Sequence, residues 1–380
     1  MNRRVAVLTT NRADYGLLRP LLKGIQSHQM LELSLIVSGT HLSTRHGRTV
    51  EEIRRDSFDI TATIDLGIDE FSDDATDAAE IVAAMTTDFA ALLARLRPDV
   101  LLVLGDRFEL LGACIAAMLQ NVPIAHVHGG EVTYGSIDDS VRHAISKLAC
   151  LHFPVHPTYA RRLHQMGESD DSVVLIDPPV SETLSRFEPT SVSALAELVG
   201  VDLMAPFVVL TFHPVTRLGE RSFEELRELL SALSTFPELT VVATGSNSDP
   251  TGLAHQRLID DFIQADASRR GSVTSLGHDQ YLSLIHWSRG VVGNSSSGVI
   301  EAPMLGVPSL DVGSRQQGRL RPASVLHVPA QKVEVVRAIR ELIQTPHSRP
   351  DHRDAPNSTR LVCSTLAEHP LTTLKIFTDQ

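Results

Sequence analysis

The chain has 380 residues, 42% hydrophobic and 21% charged, with 46 acidic against 34 basic side chains and a formal net charge of −12. Such a length exceeds one ordinary core and fits two domains of similar size, and the composition is that of a soluble globular protein. The acidic excess excludes a general nucleic-acid-binding surface but leaves room for a local basic pocket that takes an anionic ligand.

The first apolar run, at 5–8, reads as a strand and is too short for a signal peptide or a membrane span. It ends in Thr9-Thr10-Asn11-Arg12-Ala13-Asp14-Tyr15-Gly16, ahead of helical spacing at Leu17, Leu18, Leu21, Leu22 and Ile25, with Pro20 expected to kink the first turns. Loops between a parallel strand and the next helix expose free N–H groups, so Arg12 is a candidate anion contact there. A second strand at 31–37 runs into Ser38-Gly39-Thr40-His41, and a third lies at 60–64. A long amphipathic helix over 77–96 is followed by the continuous apolar run 100–104, as expected for a strand covered on both faces. That run opens into Gly105-Asp106-Arg107, which is either an ion pair capping a helix or part of a site.

Residues 126–143 then pack carboxylates, imidazoles and glycines into one strand end, one loop and one helix start, including His126, His128, Glu131, Asp138, Arg142 and His143. Two acidic strand tips side by side favour the reading of a site. A strand near 151–153, a helix through Tyr159, Leu163 and Met166, and a strand at 173–176 lead to Asp177-Pro178-Pro179, where the domain boundary is placed. The second half repeats the alternation. The strand at 207–212 ends in His213-Pro214, and the strand at 239–244 in Gly245-Ser246-Asn247.

The run Gly293-Asn294-Ser295-Ser296-Ser297-Gly298 precedes a helix start, so three hydroxyls and exposed N–H groups suit phosphate oxygens, with Glu301 placed to accept from ribose hydroxyls. After a strand at 309–312, Gly313-Ser314-Arg315-Gln316-Gln317-Gly318-Arg319-Leu320-Arg321 concentrates positive charge, and Arg315 is the first choice for a second phosphate contact. A final helix over 359–377 is expected to pack back on the first domain. The three cysteines, Cys114, Cys150 and Cys363, sit in apolar surroundings and read as buried thiols in a reducing cytoplasm. The expected fold is α/β, with a Rossmann-like domain at 1–177, a second at 178–358, the helix at 359–380 closing the molecule, and a ligand in the cleft between parallel sheets.

With these residues laid out, the chain resembles the UDP-N-acetylglucosamine 2-epimerase family, in particular its hydrolysing branch, which releases N-acetylmannosamine and UDP for sialic-acid-type biosynthesis. Eight motifs in family order carry the resemblance, from Asn11-Arg12-Ala13-Asp14-Tyr15-Gly16 through Ser38-Gly39-Thr40-His41, Gly105-Asp106-Arg107, Gly129-Gly130-Glu131, Ile137-Asp138-Asp139-Ser140-Val141-Arg142-His143, Phe212-His213-Pro214 and the serine run to Gly313-Ser314-Arg315-Gln316. It implies a GT-B-like pair of domains, a UDP-sugar substrate, no metal or other cofactor, and a cytoplasmic homodimer or homotetramer. By position, Ser295, Ser296 and Ser297 match phosphate-binding serines and Glu301 a ribose ligand. His213, Arg12, Arg107 and Arg315 match diphosphate contacts, His41 and Arg142 further substrate contacts, and Asp106, Glu131 and Asp138 the acids of the chemistry. Where many relatives carry glutamate this chain has His128, which leaves the acid–base role to Glu131, alone or shared with His128.

The resemblance implies removal of the C2 proton with loss of UDP from C1, then addition of water with inversion at C2. The rival substrate is UDP-2,4-diacetamido-2,4,6-trideoxyglucose, of legionaminic-type pathways. Rival classes are a GT-B glycosyltransferase, a metallohydrolase using His126, His128, Glu131 and His143, and a non-catalytic nucleotide-sugar sensor.

Overall fold

The computed structural model describes residues 2–72, 74–245, 249–348 and 358–379, so Ser246 and Asn247 of the expected strand-end motif lie outside the described residues. The first sheet contains β1 (Arg3–Thr9), β2 (Leu31–Ser38), β3 (Ile60–Ile64), β4 (Val100–Leu104), β5 (Ile124–Val127) and β6 (Leu151–Phe153). Its order is β3-β2-β1-β4-β5-β6. The second contains β7 (Phe207–Thr211), β8 (Thr240–Thr244), β9 (Arg270–Val273), β10 (Gly290–Gly293), β11 (Ser309–Val312) and β12 (Val325–Val328), in the order β12-β11-β10-β7-β8-β9. Every ladder is parallel. Apolar layers cover both faces of each sheet, which is why β4 and β7 are buried along their whole length.

Strand order reverses between β1 and β4 in the first sheet and between β10 and β7 in the second. At such a switch point the loops leave in opposite directions and a crevice opens outside the carboxyl ends. The four loops there carry Arg12, Asp106 and Arg107, His213, and Ser295 to Ser297, so topology alone gathers residues from four separate stretches of sequence.

Local chemistry explains the helix starts. Asn11 caps the helix Arg12–Ser27 by accepting from Ala13 N at 2.8 Å and Asp14 N at 3.1 Å, while the Asp14 carboxylate accepts from Asn11 N at 3.1 Å. Pro20 does not interrupt this helix. The helix Ser358–Glu368 places Val362, Cys363 and Leu366 in the apolar layer of the first sheet, beside Leu18, Leu21 and Leu22. Gly24 permits the close approach, since a Cβ there would lie 2.2 Å from Thr359 Cγ2.

Several expectations need correction. The stretch 173–176 contributes only an isolated bridge from Val173 to His152 rather than a strand. The last helix ends at Glu368, with Pro370 two residues on unable to continue it, so Leu371, Leu374 and Ile376 are not helical. Two outer strands, β9 and β12, went unpredicted because Arg270-Gly271-Ser272-Val273 and Val325-Leu326-His327-Val328 are short and only partly buried. Among the described residues, no helix is long and apolar enough to cross a membrane.

Candidate active site

The cleft between the sheets is lined by Asp14, Asp106, Arg107, His128, Glu131, Asp138, Arg142, His213, Ser296, Glu301, Arg315 and Arg319. The two domains are pressed together beside it. Ile137 N donates to Thr216 Oγ1 at 3.0 Å and Tyr134 N to Gln317 O at 3.0 Å. A Cβ on Gly135 would lie 2.5 Å from Ser314 O, so only glycine allows this approach. Ion pairs bridge the cleft as well: Glu131 with Arg319, Asp138 with Arg315 and Arg107 with Asp249.

On the first-domain wall, β5 ends at Val127 and His128 takes a left-handed conformation, with φ of 66°. Strand alternation therefore fails at His128. Its Nδ1 lies 2.6 Å from Glu131 Oε1, and its buried Nε2 has no hydrogen-bond partner. Glu131 Oε2 accepts from Arg319. Burial alone would raise the Glu131 carboxyl, but Arg319 and His128 together hold it well below the usual carboxylate range.

Asp138 opens the helix Asp138–Leu148 and meets a different environment. Burial, helped by Asp106 and Asp249, pushes it up to about 6 against the opposing pull of Arg315 and Arg107. Its Oδ2 accepts from Arg315 Nη2 at 3.3 Å. Two carboxyls in one cleft thus differ widely in proton affinity, with Asp138 titrating much closer to neutrality than Glu131, a common arrangement where one group accepts and another donates.

Arg142 lies one helical turn beyond Asp138 but does not pair with it. Its guanidinium donates to Asp106 Oδ2, to Glu131 O at 3.1 Å and to Thr133 Oγ1 at 2.9 Å. It is almost fully buried at the cleft wall, where its hydrogen bonds hold the acidic strand ends in place. His41 is buried against Thr9 Oγ1 at 2.9 Å and Thr49 Oγ1 at 2.7 Å, 4.0 Å from Asp14.

The second-domain wall begins at β10. Asn294 accepts from His213 N at 2.7 Å and donates to His213 O at 2.8 Å, locking the two strand-end loops together. Burial, with nearby Arg315, lowers His213 to about 3, so the ring is neutral. Ser295 caps the short turn Ser296–Gly298, Ser297 shares a 2.5 Å hydrogen bond with Tyr281 OH, and Ser296 faces the cleft. Glu301 borders both the serine recess and the main cleft; its buried Oε2 is without a partner, and desolvation raises its carboxyl. Arg12 crosses from the first domain to donate to Gly245 O at 2.7 Å and to Thr274 O.

Sequence reasoning missed Asp249, and it passed over Arg319 in favour of Arg315 within the same basic run. No motif marks Asp249, which follows the end of β8 and precedes Pro250. Arg319 was visible only as one of several arginines, and its pairing with Glu131 depends on how the domains meet. The metallohydrolase arrangement does not form. His126 points to Gly105 O at 2.7 Å and Ser146 Oγ at 3.1 Å, and His143 lies 3.8 Å from Asp139 on a partly exposed face. Among the described residues, no group of three or more His, Cys, Asp or Glu side chains is placed to hold a metal ion.

Two Rossmann-like sheets whose switch points open on a shared polar cleft define an α/β protein of the GT-B-like class. The sequence profile of the UDP-N-acetylglucosamine 2-epimerase family matches residues 23–361. The chain is 32% identical to the GDP/UDP-N,N'-diacetylbacillosamine 2-epimerase (hydrolyzing) of Campylobacter jejuni, over 85% of this chain and 84% of that protein. It is 34% identical to polysialic acid biosynthesis protein P7 of Escherichia coli, over 89% of this chain and 85% of that one. In fold, it matches the crystal structure of UDP-GlcNAc 2-epimerase from Neisseria meningitidis bound to UDP-GlcNAc with a TM-score of 0.78, at 16% identity, covering 96% of this chain and 100% of the other. The chain belongs to the UDP-N-acetylglucosamine 2-epimerase family.

Proposed function

We propose that the protein is a hydrolysing UDP-sugar 2-epimerase that converts UDP-N-acetylglucosamine and water to N-acetylmannosamine and UDP. The observation that carries this reading is the contrast, in one cleft, between Glu131, bonded to His128 and held well below the usual carboxylate range, and Asp138, raised to about 6. The second domain, 178–358, seats the UDP, and the acids of the first, 1–177, act on the sugar. Arg107, Arg315, His213 and Ser296 hold the diphosphate, Arg12 helps close the two domains over it, and Glu301 accepts from the ribose hydroxyls.

Inversion at C2 requires a proton to leave one face of the ring and another to arrive on the opposite face, hence two proton carriers. His128 Nε2, oriented by the Glu131 carboxylate on Nδ1, takes the C2 proton. The C–H electron pair forms a C1–C2 double bond as the C1–O bond breaks, and UDP departs with that oxygen's electrons. Arginines and N–H groups at the serine turn stabilise the charge on the diphosphate. Asp138 then delivers a proton to C2 from the other face while water adds its hydroxyl at C1; the proton that water loses returns to Asp138, and His128 releases the C2 proton to solvent.

A second substrate, UDP-2,4-diacetamido-2,4,6-trideoxyglucose, is favoured by the activity for which the Campylobacter relative is named and by the recess beyond His128 and Glu131. Val155, Tyr159, Met304 and Leu320 line that recess and suit an acetamido or methyl substituent. Incubation with each nucleotide sugar in heavy water, followed by NMR, tests both readings. One deuterium at C2 of a free 2-epimerised sugar, formed without any acceptor, is expected. Absence of deuterium at C2 removes the elimination mechanism, and the faster substrate identifies the sugar.

A further inference from the structure

Asp249 comes from the second domain and is 2% exposed, yet the scheme above gives it no role. Its Oδ1 accepts from Arg107 Nη1, and its Oδ2, which has no hydrogen bond, lies 3.6 Å from Arg315 Nη2. Arg107 belongs to the loop after β4 in the first domain, and Arg315 to the loop after β11 in the second. Glu109 Oε1 accepts from Arg107 Nε at 3.2 Å on its other edge. Both arginines line the cleft, with Asp249 buried behind them.

A buried carboxylate is costly to desolvate and persists where oppositely charged partners repay that cost. Here the partners are the two guanidiniums assigned to the diphosphate. An unanchored arginine must lose its rotamer freedom when an anion binds, whereas one already fixed along one edge presents its other N–H groups at little further cost. The pairing also spans the two domains, so a closed cleft and a correctly pointed Arg107 are one arrangement. Asparagine at this position keeps an acceptor oxygen but withdraws the charge; glutamate keeps the charge at a displaced position.

We infer that Asp249 is a positioning residue: a buried carboxylate of the second domain that orients Arg107 of the first and Arg315 of its own to receive the diphosphate, so that domain closure and the phosphate seat form together. This inference rests on reading the cleft as a UDP-sugar site. It carries a second consequence. Asp138 is faced by Asp106 and Asp249 on the acidic side and by Arg315 and Arg107 on the basic side. Withdrawing Asp249 removes a like charge and releases two cations, and both changes make Asp138 a stronger acid.

The test compares wild type, Asp249→Asn and Asp249→Glu for UDP affinity by calorimetry, for kcat and KM with UDP-N-acetylglucosamine, and for the pH dependence of kcat, with circular dichroism and thermal melting as checks of folding. Asp249→Asn is expected to weaken UDP binding and raise KM by about tenfold or more, with a smaller fall in kcat at low pH. Its alkaline limb should move to lower pH, and Asp249→Glu should recover part of both effects. A folded Asn variant with unchanged UDP affinity and an unmoved limb overturns the inference. So does tighter UDP binding, which makes the carboxylate a competitor of the diphosphate. If the Asn variant does not fold, the Glu variant decides: intermediate UDP affinity and a partly shifted limb support the inference, and wild-type values overturn it.

Failure of wild type to bind UDP refutes the UDP-sugar reading itself. The link between residues is then measured without nucleotide, in a urea-unfolding cycle of Arg107→Ala, Asp249→Ala and the double variant. Non-additive losses support the tie, and additive ones overturn it.

Discussion

Glu131 stands between His128 and Arg319, giving one carboxylate oxygen to each, so a single side chain both orients the imidazole and joins the domains. Its replacement by glutamine keeps the size, removes the charge that fixes the Nδ1–H tautomer, and leaves Arg319 buried beside a neutral group. Glu131→Gln is expected to lower kcat by roughly 10²- to 10⁴-fold with a much smaller change in KM. Loss of one partner of a buried pair should also destabilise the fold by about 3 kcal/mol. Steady-state kinetics and urea unfolding measure the two effects; near-normal kcat in a folded variant removes Glu131 and the imidazole it orients from the chemistry.

Asp138 predicts a pH dependence with a definite sign. Its folded value, pushed up to about 6 by burial and by Asp106 and Asp249, lies above the unfolded value. The folded state therefore binds this proton more tightly. Its contribution to stability is complete below the unfolded value of about 3.9 and is lost as pH rises through about 6. Asp138→Asn should accordingly gain melting temperature relative to wild type at pH 8 compared with pH 4. With Asp138 as donor, wild-type kcat declines above about pH 6, and this limb should vanish in the Asn variant along with most of the activity. A wild-type rate independent of pH between 5 and 8 assigns the proton delivery elsewhere.

Glu131 gives the opposite linkage. Its folded value is held below its unfolded value, so its stabilising contribution is present above about 4.3 and is lost as pH falls through the folded value. Wild type should lose more stability than Glu131→Gln between pH 5 and pH 3 in thermal melts. Parallel losses contradict this assignment.

Glu301 faces the serine recess with an unpartnered buried oxygen, a place for ribose hydroxyls rather than for proton transfer at C2. Glu301→Ala should weaken UDP binding by about ten- to a hundredfold, as expected for hydrogen bonds to a charged acceptor. The kcat should change far less than KM. A fall in kcat at constant KM moves Glu301 into the chemistry.

Gly24 tests the return of the C-terminal helix to the first domain. A methyl group 2.2 Å from Thr359 Cγ2 forces the two helices apart and loosens Val362 and Leu366 from their layer. Gly24→Ala should cost about 1–3 kcal/mol in urea unfolding, the usual range for overpacking. Shortening Thr359 to serine in the same chain should restore part of the loss.

How much of this was legible in advance depended on range. The buried runs at 100–104 and 207–211 announce parallel strands because a strand covered on both faces must be apolar at every position. The loops after them announce themselves through glycine, serine and charge placed where helix N-termini expose N–H groups. Edge strands such as β9 and β12 carry less of that signal, since one side of each goes unpaired and partly wet. The direction of a side chain was less readable. Arg142 and Asp138 share a helix face by spacing, yet Arg142 turns to Asp106 and Asp138 to Arg315.

The sequence by itself therefore determined the alternation of strand and helix, the two-sheet architecture and the polar strand ends, because hydrophobic periodicity and helix-terminus chemistry act over a few residues. Tertiary structure alone decided which charges meet. Glu131 and Arg319 are 188 residues apart, and Arg107 and Asp249 are 142 apart. Such pairs form only when the two sheets close on one cleft, and their mutual burial sets how tightly each carboxyl holds a proton.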